Sequence, residues 1–418
     1  MQPPWQPDAP AMRLKHRFAL DPTVACLNHG MLGACPNDVL ERQAAFRAQI
    51  ERLPSAFILR DLPRLLDDSR EALAGLIGAD PTDLVLLPNV TTALSAVLRS
   101  CLFVPGDEIL TTDHAYLSAR NVLDFVSGTT GAHVVVAQVG VPVPDPQHVV
   151  QAVLERVTAR TRLAVLDHVT SPTGIVFPIA ALVAALAERG IETLVDGAHA
   201  PGMLPLDVQA IGAAYYAGDC HKWLCSPRGA GFLHVRRDRQ AGVHPPVISR
   251  GYGDRSSARP RLHLEFDWLG TSDPTPLLCI PEAIVFLQNV LPGGMPALLA
   301  HNRALAMRCG HYLTARLPLK RLAADDHLGS MVAFALPPRI CAAYPDAAAL
   351  QDWLYDTSSI DVAVNAWPDN TSYVLRVSMQ VYAAMEDVVR LGDALQGALA
   401  ALDERDALMQ AVTAGVAR

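Results

Sequence analysis

Lysine is nearly absent from this chain. Three lysines, Lys15, Lys222 and Lys320, stand among 34 basic residues in 418, so chemistry that needs a primary amine has very few places to occur. A basic face is lacking too. The formal net charge is -8 and the isoelectric point about 5.9, which argues against nucleic acid as the main partner, because phosphate backbones are held by positive patches. No uninterrupted apolar run reaches the ~20 residues that span a bilayer, so no membrane partner is expected. The opening stretch, MQPPWQPDAPAMRLKHRFAL, carries prolines and an acid before its few basic residues and has no apolar signal core, so a cytoplasmic protein is expected. Its eight cysteines are scattered without a CxxC pair, which reads as reduced thiols rather than a disulfide framework. Cys220, His221 and Cys225 lie close in sequence, but no second ligand pair follows at a zinc-type spacing, so no metal site is expected. There is no GxxxxGK[ST], and GYGDRS at 251–256 lacks the third glycine and preceding strand of a dinucleotide fingerprint.

What is present is apolar and alternating. Half of the residues are hydrophobic, and 418 residues are too many for one simple core, so two packed domains are expected. Seven short apolar runs read as strands: DLVLLP, DEILTT, AHVVVAQV, RLAVLDHV, IETLVD, AAYYAG and AGFLHV, between 83 and 235. Helical periodicity separates most of them. Strands apolar on both faces, alternating with helices, predict an α/β fold with a mostly parallel seven-stranded sheet covered on both sides. The remaining pattern, with strands at SMVAFALP, DVAVNAW and YVLRVSM and a closing helix, suits a smaller C-terminal α+β domain. The expected division is an N-terminal arm at 1–27, a large domain at 28–284 and a small domain at 285–418. A loop rich in Arg, Pro and Gly covers about 236–277.

Two strand ends carry the chemistry. Asp196 ends the apolar run IETLVD, and ligands of open α/β sheets sit at the carboxyl ends of strands. Lys222 follows the next strand, between His221 and Trp223. A turn carboxylate and a surface lysine are the plain alternatives. Together, a carboxylate for a pyridinium nitrogen and a lysine for a Schiff base are what a pyridoxal phosphate site requires. Asn89, Thr91 and Thr92 mark a helix start after a strand, where free N–H groups and the helix dipole favour a phosphate.

The stretches VDGAHAPG, GDCHKWLCSPRGAGFL and LRVSMQVY, with LNHGMLGACP at 27–36 and GTSDPTPLLCIPEAI at 270–284, resemble fold-type I pyridoxal phosphate enzymes of aminotransferase class V. The likeness is strongest to the branch of isopenicillin N epimerases and hercynylcysteine sulfoxide lyases. The resemblance implies Lys222 as the Schiff-base lysine, Asp196 as the partner of the pyridine nitrogen, and His114 as the ring on the cofactor face. It implies His199 and Ser171 near the phenolic oxygen, and Thr91, Thr92, Asp219 and His221 on the phosphate side, where relatives often carry Asn or Ser in place of Asp219. Thr271 resembles a residue that reaches a partner subunit's cofactor, implying a homodimer with shared sites. Arg376 matches the arginine that forks onto a substrate α-carboxylate. Asn28 and His29 either shape a turn or line the substrate mouth. An inter-domain ion pair for Arg376 and core or turn roles for the histidines are the alternatives.

The expected activity is removal of the α-proton of an L-amino acid, with C–S β-elimination or epimerisation as the outcome and transamination as the alternative. A non-catalytic protein keeping the fold is the reading from another class. A persulfide-forming desulfurase is disfavoured, because DVAVNAWPDNTSYVLR holds no cysteine before Arg376.

Overall fold

The computed structural model describes residues 14–416 apart from residue 256, so the first part of the expected arm at 1–27 lies outside the described residues. Seven strands build the large sheet: β2 (Leu84–Leu87), β3 (Glu108–Thr112), β4 (His133–Ala137), β5 (Thr161–Asp167), β6 (Glu192–Asp196), β7 (Tyr215–Asp219) and β8 (Gly231–Val235), after a short β1 (Ala25–Cys26). Their order is β2-β8-β7-β6-β5-β3-β4, and β8 alone runs antiparallel to its neighbours. Each of the seven apolar runs read from the sequence overlaps one of these strands.

Alternation along each strand sends side chains into two separate cores, which is why the strands read as apolar throughout. Leu84, Leu86, Leu110, Leu166, Val195, Tyr216 and Phe232 face one core. Val85, Leu87, Ile109, Val165, Leu194, Ala217 and Leu233 face the other. The helices Val90–Ser100 and Leu117–Thr130 cover the second face, and Leu62–Ile77, Pro146–Leu154 and Ile179–Ala187 cover the first. Helix starts are set locally: the side chains of Asn89 and Asp145 accept from the backbone N–H groups of Thr92 and His148.

Five further strands follow: β9 (Lys320–Arg321), β10 (Met331–Ala335), β11 (Ile360–Asp361), β12 (Ala363–Ala366) and β13 (Tyr373–Ser378). Four of them form an antiparallel sheet, β12-β13-β10-β9, backed by the long helix Gly294–Arg316, on which the helix Met385–Val416 packs. Strand β1 pairs in parallel with β11, so residues 25–26 join this second body although they precede the large sheet. The long loop at about 236–277 contains a helix, Arg261–Phe266, which its polar composition hides; Leu262 and Phe266 are buried there and supply the apolar face. Among the described residues no single helix is long and apolar enough to cross a membrane.

Phe232 sits at the centre of this packing. Its ring stacks on Tyr216 with centroids 6.3 Å apart and planes at 8°. A side chain at Gly218 on the neighbouring strand would run into that ring. Phe232→Ala is expected to cost about 3–5 kcal/mol, read from the urea midpoint; a loss below about 1 kcal/mol would mean that the packing relaxes into the gap.

Candidate active site

Three adjacent parallel strands each end in an aspartate. Asp167 closes β5, Asp196 closes β6 and Asp219 closes β7, and Asp167 and Asp196 are direct register partners. All three are buried. Burial, with the Asp196 charge beside it, pushes the Asp167 carboxyl well above the usual carboxylate range, so it holds its proton. Burial raises Asp196 to about 6, against the pull of the Ala198 N–H, which Asp196 Oδ1 accepts at 3.0 Å, and of the Lys222 charge.

Lys222 lies three residues beyond the end of β7, and its Nζ stands 3.3 Å from Asp219 Oδ2. Asp219 Oδ1 accepts the N–H of Val90, the first residue of the helix Val90–Ser100. The acid that resemblance made unexpected therefore has two local tasks: it caps a helix start and faces the lysine. The Asn89 side chain takes the N–H and hydroxyl of Thr92, at 2.9 and 3.0 Å. Thr91 is exposed at the same turn and Thr92 is half-buried. His221 is tied by Nδ1 to the Ala230 carbonyl at 2.9 Å, with Nε2 3.8 Å from Asp219 Oδ2.

Arg376 reaches the same cluster from the other sheet. Strand β13 places it, 3 % exposed, with Nη1 donating to the Ser171 carbonyl at 2.5 Å and 3.3 Å from the Ser171 hydroxyl. Its Nε has no partner, and among the described residues no carboxylate pairs with it. Burial brings the guanidinium down to about 10, with Tyr116 the neighbouring group that works the other way. A buried guanidinium of this kind has the geometry to pair with a carboxylate. His199 lies within the field of both cationic side chains. Burial, then the charges of Lys222 and Arg376, hold its imidazole far below the usual range and keep it neutral. The Trp223 indole N–H donates to His199 Nδ1 at 3.3 Å, which puts the ring proton on Nε2; that buried atom has no partner among the described residues.

Other predicted residues lie farther out. His114 is fully buried, with Nδ1 2.7 Å from the Thr173 hydroxyl and its ring 4.7 Å from that of Trp367, so it meets the cluster through the Ser171–Thr173 loop. Asn28 donates to Asp361 Oδ1 at 3.0 Å, bridges to Ser378 and leaves its Oδ1 without a partner. His29 turns inward with both ring nitrogens engaged. Thr271 is exposed on the long loop, beside a cleft of about 490 Å³ lined by Arg47, Arg228 and Trp268. Sequence reading passed over Asp167, although its signal matches that of Asp196: an acid closing an apolar strand. Tyr382 and Gln380 lie within the quoted stretch LRVSMQVY, but sequence reading gave them no role.

Residues 59–391 match the aminotransferase class-V family. The chain belongs to that family. It is 37% identical over 393 residues to isopenicillin N epimerase of Streptomyces clavuligerus, covering 91% of this chain and 96% of that protein. It is 32% identical over 403 residues to L-cysteine desulfhydrase of Arabidopsis thaliana, covering 89% and 87% respectively. Among solved structures, a C-DES variant with glycine covalently linked to its pyridoxal phosphate cofactor superposes with a TM-score of 0.79 at 22% identity, over 91% of this chain and 98% of that one. The cystine C–S lyase C-DES with its product cysteine persulfide gives 0.76 at 22%, over 90% and 97%. These likenesses show the pyridoxal-enzyme fold that the sheet order describes. Class-V enzymes depend on pyridoxal phosphate, and that is the cofactor of this chain. The residues present fit it: a buried His199 N–H has no partner among the described residues, a buried acid lies within the field of the lysine, and a helix start faces that lysine through Asp219.

Two outcomes follow from these acids. In the cofactor-free protein Asp196 carries a raised pKa, so its contribution to stability is fully present below about pH 4 and is lost as pH rises through about 6. Asp196→Asn is therefore expected to gain stability relative to the parent between about pH 4 and pH 8, by on the order of 2 kcal/mol. Urea unfolding at the two pH values measures it, and parallel pH slopes would contradict it. Asp219→Asn keeps an acceptor for the Val90 N–H and removes a negative charge from the start of the helix Val90–Ser100. Cofactor titration followed by absorbance is expected to show a several-fold lower Kd, whereas weaker binding would mean that the carboxylate is needed.

Proposed function

We propose that this chain removes the α-proton of an L-amino acid and that C–S β-elimination from a cysteine-type substrate is the outcome. The observation that carries the proposal is Arg376: a buried guanidinium without a carboxylate partner among the described residues, reaching the cluster that holds Lys222. In this reading Lys222 holds the cofactor aldehyde and, once released by the substrate amine, takes the α-proton on Nζ. Asp196 faces the ring nitrogen and His199 gives its Nε2–H to the phenolic oxygen. Thr91, Thr92 and His221 receive the phosphate, and Ser171 orients Arg376 on the substrate carboxylate. His114 backs the loop that carries Ser171, and Asn28 borders the carboxylate site beside Ser378. When bound, pyridoxal phosphate supplies a sink for the electrons left by the departing proton. Elimination then breaks the Cα–H and Cβ–S bonds and yields thiol, ammonia and a 2-oxo acid after water adds.

Elimination needs one base, which Lys222 supplies. Epimerisation needs an acid on the opposite face of Cα, and Tyr116 is the observation that favours it: the side chain is 46% exposed and lies within the electrostatic reach of Arg376. The similarity to isopenicillin N epimerase supports that second reading, and the similarity to L-cysteine desulfhydrase supports the first. We further propose a homodimer. Exposed Leu53, Leu59, Val247, Ile248 and Tyr252, with Thr271 at the cleft near Arg228, offer apolar surface for a second copy. Eight free thiols fit a reducing, cytoplasmic location.

Borohydride reduction followed by mass spectrometry is expected to place the cofactor on Lys222. The loaded protein, given L-amino acids and cysteine S-conjugates, is expected to release a 2-oxo acid and thiol; inverted substrate without thiol would select epimerisation instead. Arg376→Ala is expected to lower kcat/KM by about 100-fold or more, and an unchanged value would remove Arg376 from the substrate site.

A further inference from the structure

The segment Asn28–Ala34 lies between the two cationic side chains and touches the backbone or side chain of each. At one end is Gly30. A Cβ there would come within 2.8 Å of Met331 Sδ, 2.9 Å of Ser378 Oγ and 3.5 Å of Arg376 Nη2, so only a bare backbone passes beside the guanidinium. At the other end is Gly33, with φ 72°. A Cβ there would strike the His221 carbonyl oxygen and stand 2.9 Å from that of Lys222. Between them the short helix His29–Leu32 is closed by the Gly33 N–H on the His29 carbonyl at 2.9 Å.

His29 links this segment to both sides. Its Nδ1 faces the Ala34 N–H at 3.3 Å, a donor that cannot reverse, so Nδ1 is the acceptor and Nε2 bears the proton. Nε2 then donates to the Lys222 carbonyl at 3.0 Å, and Nδ1 also accepts the Tyr382 hydroxyl at 2.9 Å. Tyr382 lies six residues after Arg376, on the chain leaving β13. The Gln380 amide nitrogen, 3.3 Å from the same Nε2, has Cys225 Sγ at 3.7 Å as its other partner, while Gln380 Oε1 accepts from Asn302 at 2.7 Å. Cys225 itself has a left-handed backbone, φ 61°, at the end of the lysine turn. Burial lowers the His29 pKa to about 4, so the ring stays neutral and its donor and acceptor ends do not exchange near neutral pH.

We propose that His29 is a positioning residue whose imidazole ties the Lys222 main chain to the chain segment that carries Arg376, so that the proton-taking amine and the carboxylate-holding guanidinium keep one separation. The proposal rests on the roles given above to Lys222 and Arg376. A tie of this kind acts on alignment of the reacting atoms rather than on binding, and small misplacements of an aligned pair are costly to rate.

The experiment compares the loaded parent protein with His29→Ala, His29→Gln and Tyr382→Phe. Each is scored for cofactor Kd, for kcat and KM on the turned-over amino acid, and for amide hydrogen exchange of the peptide around Lys222 in the cofactor-free state. His29→Ala is expected to lower kcat about 30- to 100-fold with KM and cofactor Kd within about threefold, and to speed exchange at that peptide. His29→Gln, which retains an N–H toward the Lys222 carbonyl, is expected to recover much of the rate. Tyr382→Phe, which removes a single hydroxyl, is expected to lower kcat several-fold and serves as the deciding variant if His29→Ala does not fold. Unchanged kcat in the folded variants, or a loss confined to KM or to cofactor Kd, overturns the proposal. If the parent turns over no amino acid, the reaction reading fails; the exchange arm then decides the tie, and unchanged exchange overturns it.

Discussion

One ammonium group is held at the carboxyl ends of adjacent interior strands, where three buried carboxyl groups converge, and the rest of the site is arranged around that constraint. Charges removed from water persist only where partners compensate them. Lys222 is compensated by Asp219 at 3.3 Å, and Asp219 is held in turn by a helix N–H. The acids at the neighbouring strand ends are not so served. Asp167 keeps its proton, and Asp196 is left close to neutral pH in its titration. A protonated ring nitrogen set against Asp196 would supply the missing countercharge, which is why these strand ends suit a heterocyclic cation.

The same accounting applies on the side of the second sheet. Arg376 brings a positive charge into the interior with only the carbonyl and hydroxyl of Ser171 to receive it. His199, in the field of both cations, is held neutral, and its single N–H has no acceptor among the described residues. These unpartnered atoms share one neighbourhood and one chemical demand, for an oxygen-bearing ligand. A structural ion pair would have shown the opposite pattern, with each buried charge answered by its mate. Polar networks of this density leave little freedom for slippage. The chain from Tyr382 through His29 to the Lys222 carbonyl adds a mechanical link between the bodies that carry the two cations.

Much of the architecture was legible because both faces of the large sheet are buried. That condition forces runs such as LVLL and LAVL to be apolar at every position, and such runs stand out without any alignment. The scarcity of lysine singled out Lys222, and the acid closing IETLVD singled out Asp196. Elements whose apolar content is brief escaped notice: the helix Arg261–Phe266 inside a polar loop, and the two-residue strands β1 and β11, whose pairing joins positions 25 and 360. Asp167 escaped because a single carboxylate carries no sign of which strand will lie beside it.

Chain order and residue type alone were sufficient for the fold class and the family pattern, and for singling out Lys222 and Asp196 as candidates, since each depends on local periodicity or on a short contiguous motif. Folding in three dimensions was needed to show that Asp219 caps a helix while facing the lysine, that Arg376 has no carboxylate mate among the described residues, and that His29 points inward to Tyr382 and the Lys222 carbonyl. Those facts rest on distances between residues separated by up to 353 positions. Such distances are fixed by how two sheets and their covering helices pack, and no local pattern encodes them.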